Sequence, residues 1–501
     1  MLKHRRPIIF LIIAFINVAL YVGVSTSRGH IGYPLDDAWI HQTYARNWAE
    51  TGQLAYVIGQ PSAGSTSPLW TLLISIGYRL HIDPYLWTLL LGALCLGLSA
   101  WLLARIADRL LPNRKLIAWL VGLACLFEWH MIWAAASGME TMLFIALALI
   151  VIDRLLADAR AWSIGFFGGL LIVTRPEGLL LIGLAALLLV TRSANGGPKE
   201  FLLTIITALV VVMPGALINF QASGTFFPNT FYAKQQEYAE LMSSASIWLT
   251  SIGNMIGAPF VGSQVLLLPG VFYWLINGGE VEGPPHHKRR LLFRDKSQWV
   301  QWLPLIWIGA HTAVYALRLP VAYQHGRYLM PIIPIVLLYG AVGLSIALDR
   351  RSGSATPGRL SKLLGPALIG SIVIGLIAFV PIGAAAYAAD VSIIEDEMVT
   401  VARWLAVTAP PEALIAAHDI GAIGYFARRP LIDLAGLISP EVIPFIRDEG
   451  RLQQLIEDRR ASYLVTFPDW YPHLAQAPSF AKVFQGGSSL SPQHLTVYAV
   501  R

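Results

Sequence analysis

Two adjacent carboxylates, Asp36 and Asp37, stand just beyond an apolar run, Pro7 to Val24, that is long enough to cross a bilayer. A carboxylate can take a proton from an attacking hydroxyl, and nearby Arg, Lys or His can neutralise a departing phosphate. Glu140, Arg175, Glu177, Lys234, His325 and Arg327 supply further groups of both signs. Each lies near the end of an apolar run, and the order of the runs brings them to the same membrane side as Asp36 and Asp37. Ionisable groups near membrane depth are costly and mark functional sites. Plainer roles stay open. Asp36 or Asp37 could cap a helix starting at Ala38. Arg175 and Glu177 could simply pair across Pro176, Glu140 could sit on a helix dipole, and Lys234 could be a solvated loop charge. His325 and Arg327 could anchor an interface before Tyr328, and Asp419 could cap a strand-to-helix turn after His418.

The elements that hold these groups follow from composition. Of 501 residues, 55% are hydrophobic and 13% charged, with a mean hydropathy of +0.59, which excludes an ordinary soluble protein. About eleven apolar runs of helical length predict a polytopic α-helical membrane protein. The net charge of +6 does not point to nucleic acid, because much of the excess falls in short loops. Lys3, His4, Arg5 and Arg6 place the N-terminus inside; Arg105, Arg109, Arg114, Lys115 and the His286 to Lys296 stretch mark later internal loops. Cys95 and Cys125 lie within apolar runs, so neither a disulfide framework nor a Cys-based metal site is expected. Residues 1–389 then form the membrane domain, with a first external loop at 25–68, and residues 390–501 a small external α/β domain of alternating short strands and helices.

Longer strings carry a resemblance. DDAWI, TYARN and AGSTSPLW fall between Tyr33 and Trp70; SGMETMLF, TRPEG, PNTFYAK and GRYLMP follow at later span ends, and HDIGAIGYF and IDLAGLISPE lie in the tail. Together they resemble the GT-C superfamily of membrane glycosyltransferases, and within it the bacterial arabinofuranosyltransferase-like branch. The resemblance implies an inverting transferase at the outer face of the bacterial cytoplasmic (inner) membrane. It would move a hexosyl or pentosyl group from a polyprenyl-phosphate donor to a glycan, lipid or protein acceptor. Asp36 and Asp37 would be catalytic. Glu140, Arg175, Glu177, Lys234, His325 and Arg327 would bind the donor phosphate and substrate, and His41, His418 and Asp419 would lie on the acceptor side. A lipid-borne donor fits the lack of a Gly-rich nucleotide loop in the membrane part. Some members of the superfamily use a divalent cation; Mg, Mn or Ca would suit Asp36, Asp37 and Glu140, and the sequence leaves its presence open. The alternative is a transporter or flippase of lipid-linked sugars, which would favour midplane polar groups and an internal repeat that the sequence lacks.

Overall fold

The computed structural model describes residues 2–192, 197–277, 296–352 and 359–501. The basic stretch from His286 to Arg294 lies outside them. Each apolar run expected to span falls on helix. Among the described residues six single helices are long and apolar enough to cross a membrane, or eight when each of two bent pairs counts as one span. The helices Thr141–Leu156, Ala161–Thr174 and Gly178–Arg192 are shorter.

Close approach between helices rests on small residues. A Cβ on Gly92 would collide with the Ala135 carbonyl oxygen, so only glycine lets Pro84–Leu110 pack against Trp129–Ala136. Glu128 breaks the helix before it, giving a 54° bend between Lys115–Phe127 and Trp129–Ala136. Its carboxylate accepts from the Met131 amide at 3.0 Å and meets His130 Nδ1 at 2.7 Å, so the freed helix end is satisfied within the protein. Basic residues gather at the opposite end of the bundle from Asp36 and Asp37. Arg6 donates to Asp108 at 2.7 Å, and Arg105 and Arg109 both reach Asp153 at 2.9 Å.

The stretch after the first long helix holds the helix Asp36–Thr51 and a short hairpin, β1 (Ala55–Val57) and β2 (Gln60–Pro61). The last long helix, Arg359–Ile394, runs through a π-turn at Glu395–Val399 into Thr400–Thr408 and delivers the chain to a five-stranded sheet. Its strands are β3 (Ile415–Ala417), β4 (Leu431–Asp433), β5 (Tyr463–Thr466), β6 (Phe480–Gln485) and β7 (Thr496–Val500), in the order β4-β3-β5-β7-β6. The pairs β3/β4 and β3/β5 are parallel; β5/β7 and β6/β7 are antiparallel. Alternation sorts the faces. Ala416, Leu464 and Tyr498 pack with Leu452 and Ile456 of the Glu449–Asp458 helix, while Ile415, Ala417, Val465 and Val497 join the main core of the bundle.

The π-turn aims Glu397 into this junction. Its fully buried carboxylate accepts from the amides of Ser488 (2.7 Å) and Leu495 (2.9 Å) and contacts His494 Nδ1 at 2.8 Å. Glu397→Ala would strand these donors, at about 1–3 kcal/mol for each buried group. Faster amide exchange at Ser488 and Leu495, with a lower unfolding temperature, is the expected result; wild-type protection at both amides would show that the carboxylate does not hold this loop.

Candidate active site

The helix Asp36–Thr51 starts at Asp36, after Leu35 in an extended conformation, with no side-chain cap bond. Neither carboxylate is therefore the cap of a helix that starts at Ala38. Asp36 is buried and accepts from the backbone amides of Gly421 (2.7 Å) and Ala422 (2.8 Å), at the turn after β3. A Cβ on Gly421 would collide with the Asp36 carbonyl oxygen, so this docking needs glycine. Asp37 faces the other way. Its Oδ2 lies 2.5 Å from Arg327 Nη2 and 3.7 Å from Lys234 Nζ. Tyr328 completes the cluster: Lys234 donates to its hydroxyl at 2.9 Å and Arg327 at 3.2 Å.

Two cavities share Asp37, Lys234 and Arg327 in their walls. The smaller, ≈ 130 Å³, runs past Glu140, Arg175, Glu177, Tyr315 and Arg318. The larger, ≈ 570 Å³, is walled by Asp36, Glu237 and Gln324 and by His418, Asp419, Arg447, Trp470 and Tyr471 of the C-terminal unit. Arg327 is 3% exposed, and among the described residues its Nε and Nη1 have no hydrogen-bond partner. A buried guanidinium with spare donors is suited to an anion that arrives from outside the fold. Burial alone would raise the Asp37 carboxyl, but Lys234 and Arg327 outweigh it and hold the group well below the usual carboxylate range. Lys234 is the converse: burial would lower it, and Asp37 holds it above its ordinary value.

The other expected residues divide. Glu140, Arg175 and Glu177 form one network, with Arg175 reaching Glu140 at 3.2 Å, Glu177 at 3.3 Å and the Tyr315 hydroxyl at 2.8 Å; Tyr315 in turn donates to Glu177. His41 lies beneath this network, 3.3 Å from Glu140 and 3.4 Å from Thr71, and not on the walls of the larger cavity. His325 also turns aside, to Asp390 at 2.8 Å between the rings of Trp129 and Trp133. His418 and Asp419 do face the larger cavity, with His418 held by Tyr471 (2.8 Å) and Glu237 (3.3 Å). Burial would lower the His418 imidazole, and Glu237 outweighs it and raises it. Sequence reasoning missed Tyr328, Glu237, Arg447, Trp470 and Tyr471. Glu237 carried a signal in its spacing, since it lies three residues after Lys234 on the Asn229–Glu237 helix and so on the same face.

A hard cation would need several oxygens turned to one point. Asp36 is committed to two amides, Asp37 to Arg327 and Lys234, and Glu140 to Arg175 and His41, so these three do not form a donor set. Among the described residues no group of three or more His, Cys, Asp or Glu could hold a metal ion.

Solved structures share this arrangement of helices. ArnT from Cupriavidus metallidurans, bound to undecaprenyl phosphate, is 15% identical over 98% of this chain and 97% of its own, with a TM-score of 0.57. The Archaeoglobus fulgidus oligosaccharyltransferase in the apo form is 10% identical over 98% of this chain and 74% of its own, with a TM-score of 0.58. The fold is that of the GT-C membrane glycosyltransferases. Mycobacterial arabinofuranosyltransferase AftD is also similar, at 17% identity and a TM-score of 0.51 over 99% of this chain, which spans 41% of AftD. A family model described as a domain of unknown function, DUF8728, matches residues 389–498. No curated protein matches by sequence. Within the GT-C fold of this chain, the matched region is the part that closes the larger cavity over Asp37.

Asp36 and Asp419 give this closure a pH dependence. Burial raises both carboxyls; Asp419 raises Asp36 further, and Asp37 adds to the rise at Asp419. A carboxyl whose folded pKa is raised contributes stability at low pH and loses it as pH climbs through the folded value. Asp419→Asn removes one of the repelling charges. Its gain in unfolding temperature over wild type should therefore be larger at pH 8 than at pH 5; an equal gain at both would refute the coupling.

Proposed function

We propose that the protein is an inverting glycosyltransferase that moves a sugar from a polyprenyl-phosphate donor to an acceptor hydroxyl at the outer face of a bacterial inner membrane. The carrying observation is the Asp37–Arg327–Lys234 cluster at the seam of two cavities. On this reading the smaller cavity, with Arg175 and Arg318 in its wall, receives the phosphate end of the donor, and the larger receives the acceptor. Asp37 takes the proton of the acceptor hydroxyl. The hydroxyl oxygen bonds to the anomeric carbon as that carbon's bond to the phosphate oxygen breaks, and polyprenyl phosphate leaves with the bonding pair. One displacement from the opposite face inverts the centre. Arg327 and Lys234 neutralise the leaving phosphate. By turning toward it they also release Asp37 from the charge that keeps it a weak base, so donor binding itself raises its basicity. Asp36 is then a positioning residue that docks residues 390–501 on the catalytic membrane part, 1–389.

The similar structures support a lipid phosphate as ligand: ArnT is bound to undecaprenyl phosphate, and the archaeal oligosaccharyltransferase AglB to a dolichol-phosphate. The one-ended charge cluster does not favour a flippase, which would use midplane groups. The basic ends of the helices support a cytoplasmic N-terminus and an external C-terminal unit.

Asp37→Asn should lower transfer by roughly 10²–10⁴-fold and leave undecaprenyl phosphate bound. Asp36→Asn loses one of two acceptors for the Gly421 and Ala422 amides, so its main effect should be on stability. Arg327→Ala should weaken undecaprenyl phosphate binding by about tenfold or more. Full transfer activity in Asp37→Asn would remove the base, and unchanged lipid affinity in Arg327→Ala would remove the phosphate site. For topology, Glu412 is exposed in the C-terminal unit. A Glu412→Cys protein in intact cells should react with an impermeant maleimide, and protection there would place the unit inside.

A further inference from the structure

The larger cavity holds groups that the transfer chemistry does not use. Its ionic side chains are largely paired with one another: Asp37 with Arg327 and Lys234, and Glu237 with His418. Arg447 spends two donors on the Glu237 carbonyl, at 3.0 and 2.7 Å. Such self-pairing leaves no large unbalanced charge to attract an anion or a cation. Three features remain unspent. Trp470 is 42% exposed and lines the cavity, backed by Phe467 (4.9 Å) and set edge-to-face on His418 (4.7 Å, 72°). Gln324 lines the same cavity, and among the described residues its Oε1 is buried with no donor. Its backbone is left-handed, φ 55°, so the side chain is held there at a conformational cost. Asp419 adds a carboxylate to the same cavity.

A flat amphipathic ring, backed so that it cannot turn away, presents one face to a ligand with C–H surface. Buried acceptors without donors call for a ligand rich in O–H groups. A carbohydrate has both, and it is neutral. We propose that this cavity binds a neutral oligosaccharide acceptor, stacked on Trp470 and hydrogen-bonded through its hydroxyls to Gln324 and Asp419. The inference rests on the transferase reading above and adds the class of acceptor. It also gives a role to the region matched as a domain of unknown function. That region supplies Trp470 and Asp419, and so the specificity of the enzyme for what receives the sugar.

The test uses the full chain in lipid nanodiscs. Fluorescent arabinan, galactan and mannan oligosaccharides, and a library of uncharged peptides, are titrated against wild type, Trp470→Ala, Trp470→Phe and Gln324→Asn. Undecaprenyl phosphate is titrated in parallel, and unfolding temperatures are recorded. At least one oligosaccharide should bind wild type. Trp470→Ala should weaken it by about tenfold or more, since losing the ring removes both area and stacking. Trp470→Phe should restore part of the loss. Gln324→Asn, which tolerates the left-handed backbone but draws the oxygen back, should weaken it several-fold. Undecaprenyl phosphate should bind wild type and both Trp470 variants alike. Binding of peptides in place of oligosaccharides, binding of no oligosaccharide, or equal affinity in wild type and Trp470→Ala would each overturn the proposal. Failure of wild type to bind undecaprenyl phosphate, with oligosaccharide binding intact, would instead overturn the donor assignment.

Discussion

The site depends on one ion pair whose cation is buried. Arg327 is almost wholly enclosed at the edge of the helical bundle, where an unpaired guanidinium would cost several kcal/mol, and its partner Asp37 lies 290 residues away in the chain. The pair can form because the chain before Arg327 makes a turn that ordinary residues avoid: Gln324, His325 and Gly326 have φ of 55°, 58° and 71° in succession. Each of the two non-glycine residues costs about 1–3 kcal/mol there, and such strain persists only where the surroundings hold it. Asp390 does so through one oxygen, its Oδ2, which meets His325 and accepts from the Trp133 indole (2.9 Å). His325 thus bears on the Arg327–Asp37 pair through the turn it fixes and not through contact.

The same logic extends to the C-terminal unit. The larger cavity has a wall that is docked firmly yet carries its own polar groups. Asp36 takes two amides of that unit, Tyr56 donates to the Ile420 carbonyl, and Trp39 packs on Tyr425 and Phe426 at 4.8 Å. On the far side, the Asn229 side chain donates to the Leu437 carbonyl at 3.1 Å and Arg447 reaches Glu237. The helix that carries Lys234 is therefore tied to the C-terminal unit at both ends. Movement of that unit would be felt at Lys234, which couples the C-terminal unit to the charge around Asp37.

What could be read from the sequence was local. Apolar runs report helices directly, because hydropathy is a property of the run itself, and all the long ones fell on helix. Asp36, Asp37, Arg175 and Lys234 stood out because charge beside an apolar run is costly wherever the run goes. The strands that sequence reasoning passed over have physical excuses. β4 is three residues long behind Pro430, and β6 is an edge strand whose sequence, FAKVFQ, leaves half of its residues exposed. Trp470 and Arg447 sit in loops with no periodicity at all, and only the closed fold brings them to a common wall. The pairing of His325 with Asp390 and of Glu140 with His41 likewise needs tertiary contact that no spacing announces.

Two neighbouring aspartates at a helix start look redundant, and the geometry explains why they are not. Successive residues on an α-helix point about 100° apart, so the carboxylates cannot converge on one atom. Both lie at the first turn, where the helix dipole favours negative charge. From there one turns to the amides of the C-terminal unit and the other to the cations of the membrane part. Their environments push them in opposite directions: burial and Asp419 raise Asp36, while Lys234 and Arg327 overcome burial to lower Asp37. A raised carboxyl accepting backbone amides pins the C-terminal unit in place, and a lowered one facing a cavity stays ionised. Placing them side by side on one rigid helix means that the C-terminal unit cannot dock without setting the direction in which Asp37 points.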